Sequence, residues 1–132
     1  MFNSIFVNLP IENLKKSVDF FGELGFTFNE QFTDHESTCM IVTENIFVML
    51  LEKQKFSSFT ARAIADRSTT EVTLSFACQS ADEVKSLSQR AFQLGATRVN
   101  DPEDLGFMFS WGFEDLDGHM WDLFWMNPDH LE

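Results

Sequence analysis

A carboxylate stands between apolar neighbours near the end of the chain, in residues 115–126. The dipeptide Asp117-Gly118 is a strong hairpin signal, because glycine accepts the positive φ that tight turns require. A strand is predicted after this turn, and Asp122 would share one face of it with Met120 and Phe124. Burying a carboxylate costs free energy unless a partner compensates for it. Asp122 is therefore expected to face a wet cavity, to accept hydrogen bonds or to meet a cation.

The composition is that of an acidic domain rich in aromatic residues. The chain has 132 residues, a net charge of −12 at pH 7, and 16 Phe and 3 Trp but no Tyr. The negative charge argues against nucleic acid as a partner and would attract a cationic ligand. The excess of aromatic residues indicates an apolar pocket or a subunit interface.

The cysteines and the chain start bear on the cellular compartment. Cys39 and Cys78 lack the spacing of a metal knuckle, so buried free thiols are expected. The first residues are strand-like and do not resemble a signal peptide, and no apolar run approaches the ~20 residues of a membrane helix. We therefore expect a cytoplasmic protein without a membrane partner.

The first half of the chain is predicted to form a strand, a helix and three more strands, in that order. Apolar periodicity predicts strands over residues 2–9, 26–32, 38–43 and 46–52, and a helix over residues 14–24 with Asn13 as its N-cap. Residues 53–68 break this pattern and hold four of the nine basic residues, so they are interpreted as a connector with one helical turn.

The second half repeats this order. Strands are predicted over residues 71–78, 96–100, 107–113 and 119–126, with a helix over residues 81–94 that begins at a capping box of Ser80 and Glu83. Gly25 and Gly95 each follow a helix, at an offset of about 70 residues, which is typical of a duplicated unit.

One helix for every three or four strands argues against a doubly wound sheet. The predicted fold class is α+β, with two βαβββ repeats that form a curved mixed sheet around a cavity and carry one helix each on the outer face. We expect a single domain over residues 1–132. It would comprise repeat one at 2–52, the connector at 53–68 and repeat two at 69–127.

This pattern resembles the vicinal-oxygen-chelate superfamily, which includes glyoxalase I, bleomycin-resistance proteins and extradiol dioxygenases. Residues 7–21 with Gly25 behind them carry part of the resemblance. Residues 115–122 are similar to the family's Asp-Pro-Asp-Gly hairpin and its downstream Glu. The duplicated order of strands and helices strengthens the resemblance. The chain looks most like small bacterial proteins labelled predicted lactoylglutathione lyases. The resemblance implies the glyoxalase/bleomycin resistance/dioxygenase fold and, as is common in the family, a homodimer.

The resemblance also implies four inner-face positions, contributed by the first and last strand of each repeat: Ser4, Met49, Glu71 and Asp122. Ser4 and Glu71 replace a usual His, Met49 replaces the Glu of a glyoxalase, and Asp122 replaces a longer Glu. Such a set makes a poor transition-metal site, whereas a hard divalent cation could use the two carboxylates with waters, though weakly.

The histidines do not complete a metal site. His35 falls in a predicted loop and His130 in the tail. His119 is expected to be a surface turn residue. Its side chain would point to the same strand face as Trp121, opposite to the face that carries Asp122.

The strand faces predict a ligand pocket around the two carboxylates. Glu71 and Asp122 are the candidate catalytic groups, and we expect their side chains to lie in one cavity. The predicted lining residues are Ser4, Phe6, Asn8, Met49, Leu51, Thr73, Met120 and Phe124.

Two functions from different classes remain open. The first is a metal-free protein that binds a small molecule in the cavity, through apolar contact and cation–π attraction. The alternative is a metal-dependent lactoylglutathione lyase-type lyase or isomerase, in which Glu71 or Asp122 moves a proton. The sequence supplies the carboxylates but not the imidazole, so whether the chain is an enzyme stays open. A divalent metal ion is the one cofactor that the resemblance suggests.

Overall fold

Two compact units, Met1–Ile64 and Ala65–Glu132, make up the chain in this computed structural model. The structure describes residues 1–131, and their side chains up to Asp129, so the side chain of His130 lies outside the described residues. Each unit has the order strand, helix and three strands, and each folds into a four-stranded mixed sheet. The predicted α+β class with a duplicated βαβββ unit is confirmed.

The first unit arranges its sheet in the order β1-β4-β3-β2. Its elements are β1 (Ile5–Ile11), α1 (Leu14–Glu23), β2 (Thr27–Asn29), β3 (Ser37–Thr43), β4 (Ile46–Glu52) and the short helix α2 (Lys53–Ser57). β1 runs parallel to β4, and the other neighbouring pairs are antiparallel. Asn13 caps α1 as predicted, because its Oδ1 accepts a hydrogen bond from the amide of Lys16 at 3.0 Å.

The second unit repeats the same sheet order as β5-β8-β7-β6. Its elements are β5 (Thr73–Ala77), α3 (Ala81–Gln93), β6 (Glu103–Asp104), β7 (Met108–Glu114) and β8 (Met120–Met126). The predicted start of the helix is confirmed, since Ser80 Oγ accepts a hydrogen bond from the amide of Glu83 at 3.0 Å. Helix α3 packs against β7 and β8 and buries Val84 and Ala91 completely.

Equivalent residues of the two units take equivalent conformations. Gly25 and Gly95 follow α1 and α3 with φ of 109° and 110°, a left-handed conformation that favours glycine. Met49 on β4 and Asp122 on β8 are both half-buried and lie between two buried residues of the last strand of their unit. The offsets predicted from the sequence therefore hold in the structure.

Two predicted strands are wrong in their extent. Residues 96–100 do not form a strand; Thr97 alone makes a bridge, with Glu114, and the strand lies further on at Glu103–Asp104. The strand predicted over residues 26–32 ends at Asn29, whose Oδ1 accepts a hydrogen bond from the amide of Gln31 at 2.9 Å and caps a 3₁₀ turn. A short polar side chain that binds its own backbone competes with the ladder of a strand.

Both cysteines are free thiols, as predicted. Cys39 is buried and Cys78 is half-buried, and burial raises the pKa of the Cys39 thiol and the pKa of the Cys78 thiol, the latter to about 11. Over the described residues, every helix is too short or too polar to span a bilayer.

Gly112 generates a prediction about the sheet of the second unit. It lies on β7 directly opposite Asp122, and a Cβ atom built on it would clash with the main-chain oxygen of Trp121. We expect Gly112→Ala to lower the free energy of unfolding by at least about 2 kcal/mol, because the two strands would have to separate. Urea denaturation followed by tryptophan fluorescence measures this. A loss below about 0.5 kcal/mol would show that the strands absorb the extra carbon without cost.

Candidate functional site

A cavity of about 570 Å³ opens in the second unit. Strands β5, β7 and β8 supply most of its lining, and the segment around residues 100–103 forms one wall. The lining residues are Ser75, Asn100, Asp101, Glu103, Met108, Ser110, Trp111, Asp122, Phe124 and Met126. The cavity thus combines aromatic and methionine side chains with three carboxylates and no basic group.

The pairing of the strands orders this lining by polarity. In one cross-strand row, Ser75 lies opposite Asp122, and Asp122 lies opposite Gly112. Two residues along the strands, on the same face, Ser110 on β7 lies between Phe124 on β8 and Glu103 on β6. A third row pairs Met108 with Met126. One end of the cavity floor is therefore polar and the other is apolar.

The three carboxylates of the cavity differ in their partners. Asp101 pairs with Arg98, whose Nη2 lies 3.1 Å from Asp101 Oδ1. The carboxylates of Glu103 and Asp122 make no hydrogen bond or ion pair with another residue of the described part of the chain. A carboxylate without partners is favourable only where water or a cation can reach it. These two groups are thus available to a ligand.

Trp111 holds the wall of the cavity in place. Its Nε1 donates a hydrogen bond to the main-chain oxygen of Asn100 at 3.2 Å, and its ring packs edge-on against Phe92 at 5.4 Å. The guanidinium of Arg98 lies 5.1 Å from the centre of the Trp111 ring, within the range of a cation–π interaction.

The turn between β7 and β8 is built around a buried carboxylate. Asp115 is 2% exposed, and its Oδ1 accepts hydrogen bonds from the amides of Asp117 at 2.9 Å and His119 at 3.0 Å. Its Oδ2 accepts a hydrogen bond from Trp121 Nε1 at 2.8 Å. Burial raises the pKa of Asp115, while the charge of His119 and these hydrogen bonds lower that pKa in part. Asp115, rather than Asp122, is the buried carboxylate of this stretch.

His119 is also buried, which corrects the prediction of a surface turn residue. Its side chain is 8% exposed, and its Nδ1 lies 3.1 Å from Glu71 Oε1. A buried imidazole needs a polar partner, and Glu71 supplies it from the segment ahead of β5.

Glu71 and Asp122 are not brought together, so the prediction of one shared cavity is wrong. Strand β5 begins at Thr73, two residues after Glu71, so strand parity does not fix the direction of the Glu71 side chain. Asp122 lies opposite Ser75 in the middle of β5, whereas Glu71 lies outside the strand, four residues before Ser75. The Glu71 carboxylate lies against His119 and is not part of the cavity lining, whereas Asp122 is.

Among the predicted lining residues, Phe124 lies in the cavity together with Asp122. Thr73 and Met120 lie opposite each other on β5 and β8, outside the set that lines it. Cross-strand register and the loop at residues 100–103 supply the rest of the lining, and neither is visible from local periodicity.

The remaining predicted residues belong to the first unit. Asn8 and Met49 lie opposite each other on β1 and β4. Phe6 stacks on Phe47 with 4.7 Å between ring centres, and Leu51 is buried. Ser4 is exposed just before β1. Their roles as pocket residues stay predictions.

A transition-metal centre does not fit the donors around Asp122. Its cross-strand neighbours are the hydroxyl of Ser75 and the backbone of Gly112, and the buried imidazole of His119 is bound to Glu71 instead. Zinc and iron sites use several imidazole, thiolate or carboxylate ligands together. In the part of the chain that the structure describes, three or more such side chains do not converge anywhere. We therefore derive no chemical step through a metal ion.

Comparison with known proteins identifies the fold. Residues 3–43 match the family model described as bleomycin resistance protein-like N-terminal. A hypothetical protein from S. aureus is similar with 26% identity and a TM-score of 0.80, over 94% of both chains. A glyoxalase-related enzyme from Fulvimarina pelagi has 18% identity and a TM-score of 0.81, over 95% of this chain and 88% of that chain.

A third similar structure is the fosfomycin resistance protein from Listeria monocytogenes, with 17% identity and a TM-score of 0.71 over 98% of this chain and 97% of that chain. Curated proteins compared by sequence give no match. The fold predicted from the sequence is confirmed, and the match of residues 3–43 agrees with the resemblance.

The buried Asp115 generates a prediction of pH dependence. Asparagine at this position keeps one acceptor oxygen but turns an NH₂ group toward Trp121 Nε1, so Asp115→Asn should destabilise the fold, by about 1–3 kcal/mol at pH 4. A folded-state pKa above the ordinary value of 3.8 means that the stabilising contribution of Asp115 is fully present below 3.8 and is lost as the pH rises through the folded-state pKa. The advantage of the wild type over Asp115→Asn should therefore shrink from pH 4 to pH 8.

Urea denaturation of both proteins across this pH range tests the sign. The difference between them isolates Asp115 from carboxylates that titrate in both. An advantage of the wild type that grows with pH would show that the hydrogen bonds outweigh burial and hold the Asp115 pKa below 3.8.

Proposed function

We propose that this chain, which has the glyoxalase/bleomycin-resistance fold of the vicinal-oxygen-chelate superfamily, binds a small organic cation in the cavity of its second unit. The observation that carries the proposal is a pair of carboxylates, Asp122 and Glu103, that have no partner among the described residues, in a cavity that is also lined by Phe124 and Met108. A molecule with a positive charge and an apolar body complements both properties at once.

The size and charge of the cavity support this ligand class. About 570 Å³ lies within the ~300–1,000 Å³ that ligand pockets of proteins occupy. The net charge of −12 adds a long-range attraction for cations and a repulsion for anions. Cation–π attraction at Phe124 would add to the ion pair once water is displaced.

Binding without a chemical step is the role that the geometry supports best. The alternative, a metal-dependent lyase or isomerase of the lactoylglutathione lyase type, would use Glu71 and Asp122 in one centre, and their side chains lie in different places. The family description of residues 3–43 and the similar protein from Listeria monocytogenes both name resistance to a small molecule. Sequestration of a small molecule would suit that description.

We further propose a homodimer, with β1 of the first unit in its interface. β1 is an edge strand, and its residues Ile5 and Phe6 are 54% and 47% exposed, next to the exposed Ile46 on β4. An exposed apolar patch of adjoining residues on an edge strand is typical of an interaction surface.

Light scattering tests the assembly. We expect a mass of about twice the 15.2 kDa of one chain at micromolar concentration. Phe6→Lys should convert the dimer to the monomer, whereas Phe59→Lys, at an exposed position in the connector, should not. A mass of 15.2 kDa for the wild type, or equal effects of the two substitutions, would contradict the proposed interface.

A cavity-filling substitution tests the proposed function. We expect calorimetry at low ionic strength to detect binding of benzyltrimethylammonium and no binding of the matched anion phenylmethanesulfonate. Ser110→Phe places a ring inside the cavity and should weaken benzyltrimethylammonium at least about tenfold, which corresponds to about 1.4 kcal/mol. Ser86→Phe, at an exposed position on α3, is the matched control and should not change the affinity. Equal binding of the cation and the anion, or an unchanged affinity in Ser110→Phe, would refute the proposed site.

A further inference from the structure

We infer that the ligand of this cavity is a linear dication, in which a narrow apolar chain joins two terminal ammonium or guanidinium groups. The inference rests on the proposed function and names the class of ligand for the same site. It comes from the separation of the two free carboxylates, from the small residues between them and from the apolar side chains around them.

The first pole of the site is Asp122, in the middle of the sheet. Asp122 is half-buried on β8 and has Ser75 directly opposite on the parallel strand β5. The Ser75 hydroxyl gives a second acceptor beside the carboxylate, so an ammonium group with three N–H donors would find more than one partner. The low polarity of Phe124 on the same strand strengthens the ion pair.

The second pole is Glu103, at the edge of the same sheet. Glu103 lies on β6 opposite Ser110. Asp101, two residues earlier in the chain, lines the same wall of the cavity. Asp101 already pairs with Arg98, whereas the Glu103 carboxylate makes no ion pair with another described residue. Glu103 is therefore the carboxylate of this wall that a second positive charge would neutralise.

The register of the strands sets the distance between the poles. From Asp122 the ladder leads to Gly112 on β7, then two residues along β7 to Ser110, and from there to Glu103 on β6. Two strand spacings across and two residues along give about 12 Å between the Cα atoms of Asp122 and Glu103. A ligand with a single charge satisfies one pole and leaves the other carboxylate without a partner.

The floor between the poles favours a thin chain over a bulky ring. Gly112 has no side chain and Ser110 has a small one, so the direct line from Asp122 to Glu103 crosses a shallow groove. Phe124 and Met108 flank this line with apolar surface. Methylene groups that lie in such a groove contribute about 0.8 kcal/mol each when they are fully removed from water.

A series of α,ω-diaminoalkanes with about 3 to 10 carbons, compared with n-alkylamines of the same carbon number, tests the inference by calorimetry at low ionic strength. We expect the affinity of the diamines to pass through a maximum at an intermediate length. Only a chain of that length lets both terminal ammonium groups reach the carboxylates of Asp122 and Glu103 at once. The best diamine should bind at least about tenfold more tightly than its matched monoamine. Equal affinities of diamine and monoamine at every length would overturn the inference.

Three charge-matched variants assign the poles. Glu103→Gln should remove most of the advantage of the best diamine over its matched monoamine, so that the diamine loses much more affinity than the monoamine does. Asp122→Asn should weaken both. Glu44→Gln, in the exposed turn of the first unit, removes the same charge and should change neither. An equal loss in Glu44→Gln and Glu103→Gln would show attraction by net charge alone and would overturn the inference.

The inference and the proposed function fail in different ways. If benzyltrimethylammonium binds and is blocked by Ser110→Phe while diamines show no advantage, the dication is wrong and the cation-binding cavity stands. If neither benzyltrimethylammonium nor any amine of the series binds to folded wild-type protein, both are wrong. Circular dichroism of each variant confirms that the fold is retained, and neither Glu103 nor Asp122 has a described partner whose loss would unfold the sheet.

Discussion

The register between β7 and β8 is the constraint on which the second unit depends, and the buried carboxylate of Asp115 fixes it at the turn. Asp115 accepts hydrogen bonds from two amides of the turn and from Trp121 Nε1, the side chain of the second residue of β8. Trp121 is itself buried between Phe76 and Phe113. A shift of one residue along β8 would turn every side chain of the strand to the other face, and it would break all of these contacts.

The floor of the cavity follows from that register. It sets Asp122 opposite Gly112, where only a residue without a side chain fits, and it sets Phe124 opposite Ser110. The parallel pairing with β5 then adds Ser75 to the same row. The groove between the two free carboxylates is thus a consequence of strand pairing, and its length is fixed by the spacing of strands in a sheet.

Aspartates in neighbouring positions perform opposite tasks because their partners differ. Asp115 is fully buried and its two carboxyl oxygens accept hydrogen bonds from three donors, so its side chain serves the fold. Asp122 is half-buried and its carboxylate has no described donor, so it is available to pair with a cationic ligand in the cavity. The same carboxyl group costs free energy in the second setting until a cation or water compensates for it. Binding sites often retain such a cost where a ligand can remove it.

The sequence predicted what depends on neighbours along the chain. The turn at Asp117-Gly118, the caps at Asn13 and Ser80, the two positive-φ glycines and the duplicated order of elements all have local signals, and the structure confirms them. Parity along β8 also placed Asp122 and Phe124 on one face correctly.

The sequence failed where contacts reach across the chain. Parity for Glu71 failed because β5 begins after it, and the pairing of His119 with Glu71 joins residues 48 positions apart. The loop that carries Asp101 and Glu103 to the cavity depends on the hydrogen bond of Trp111 to Asn100 and on the pairing of Glu103 with Ser110, which have no local signature. The burial of Asp115 had one readable sign, since an aspartate at the start of a tight turn commonly binds the amides that follow.

The most direct test of the account is a ¹H–¹⁵N NMR titration of the labelled protein with 1,8-diaminooctane. We expect the largest amide shifts on the residues that form the rows between the two poles, which are Ser75, Ser110, Gly112, Asp122 and Glu103. Shifts concentrated elsewhere, for example around Glu71 and His119 or on the strands of the first unit, would contradict the claim that this cavity is the binding site.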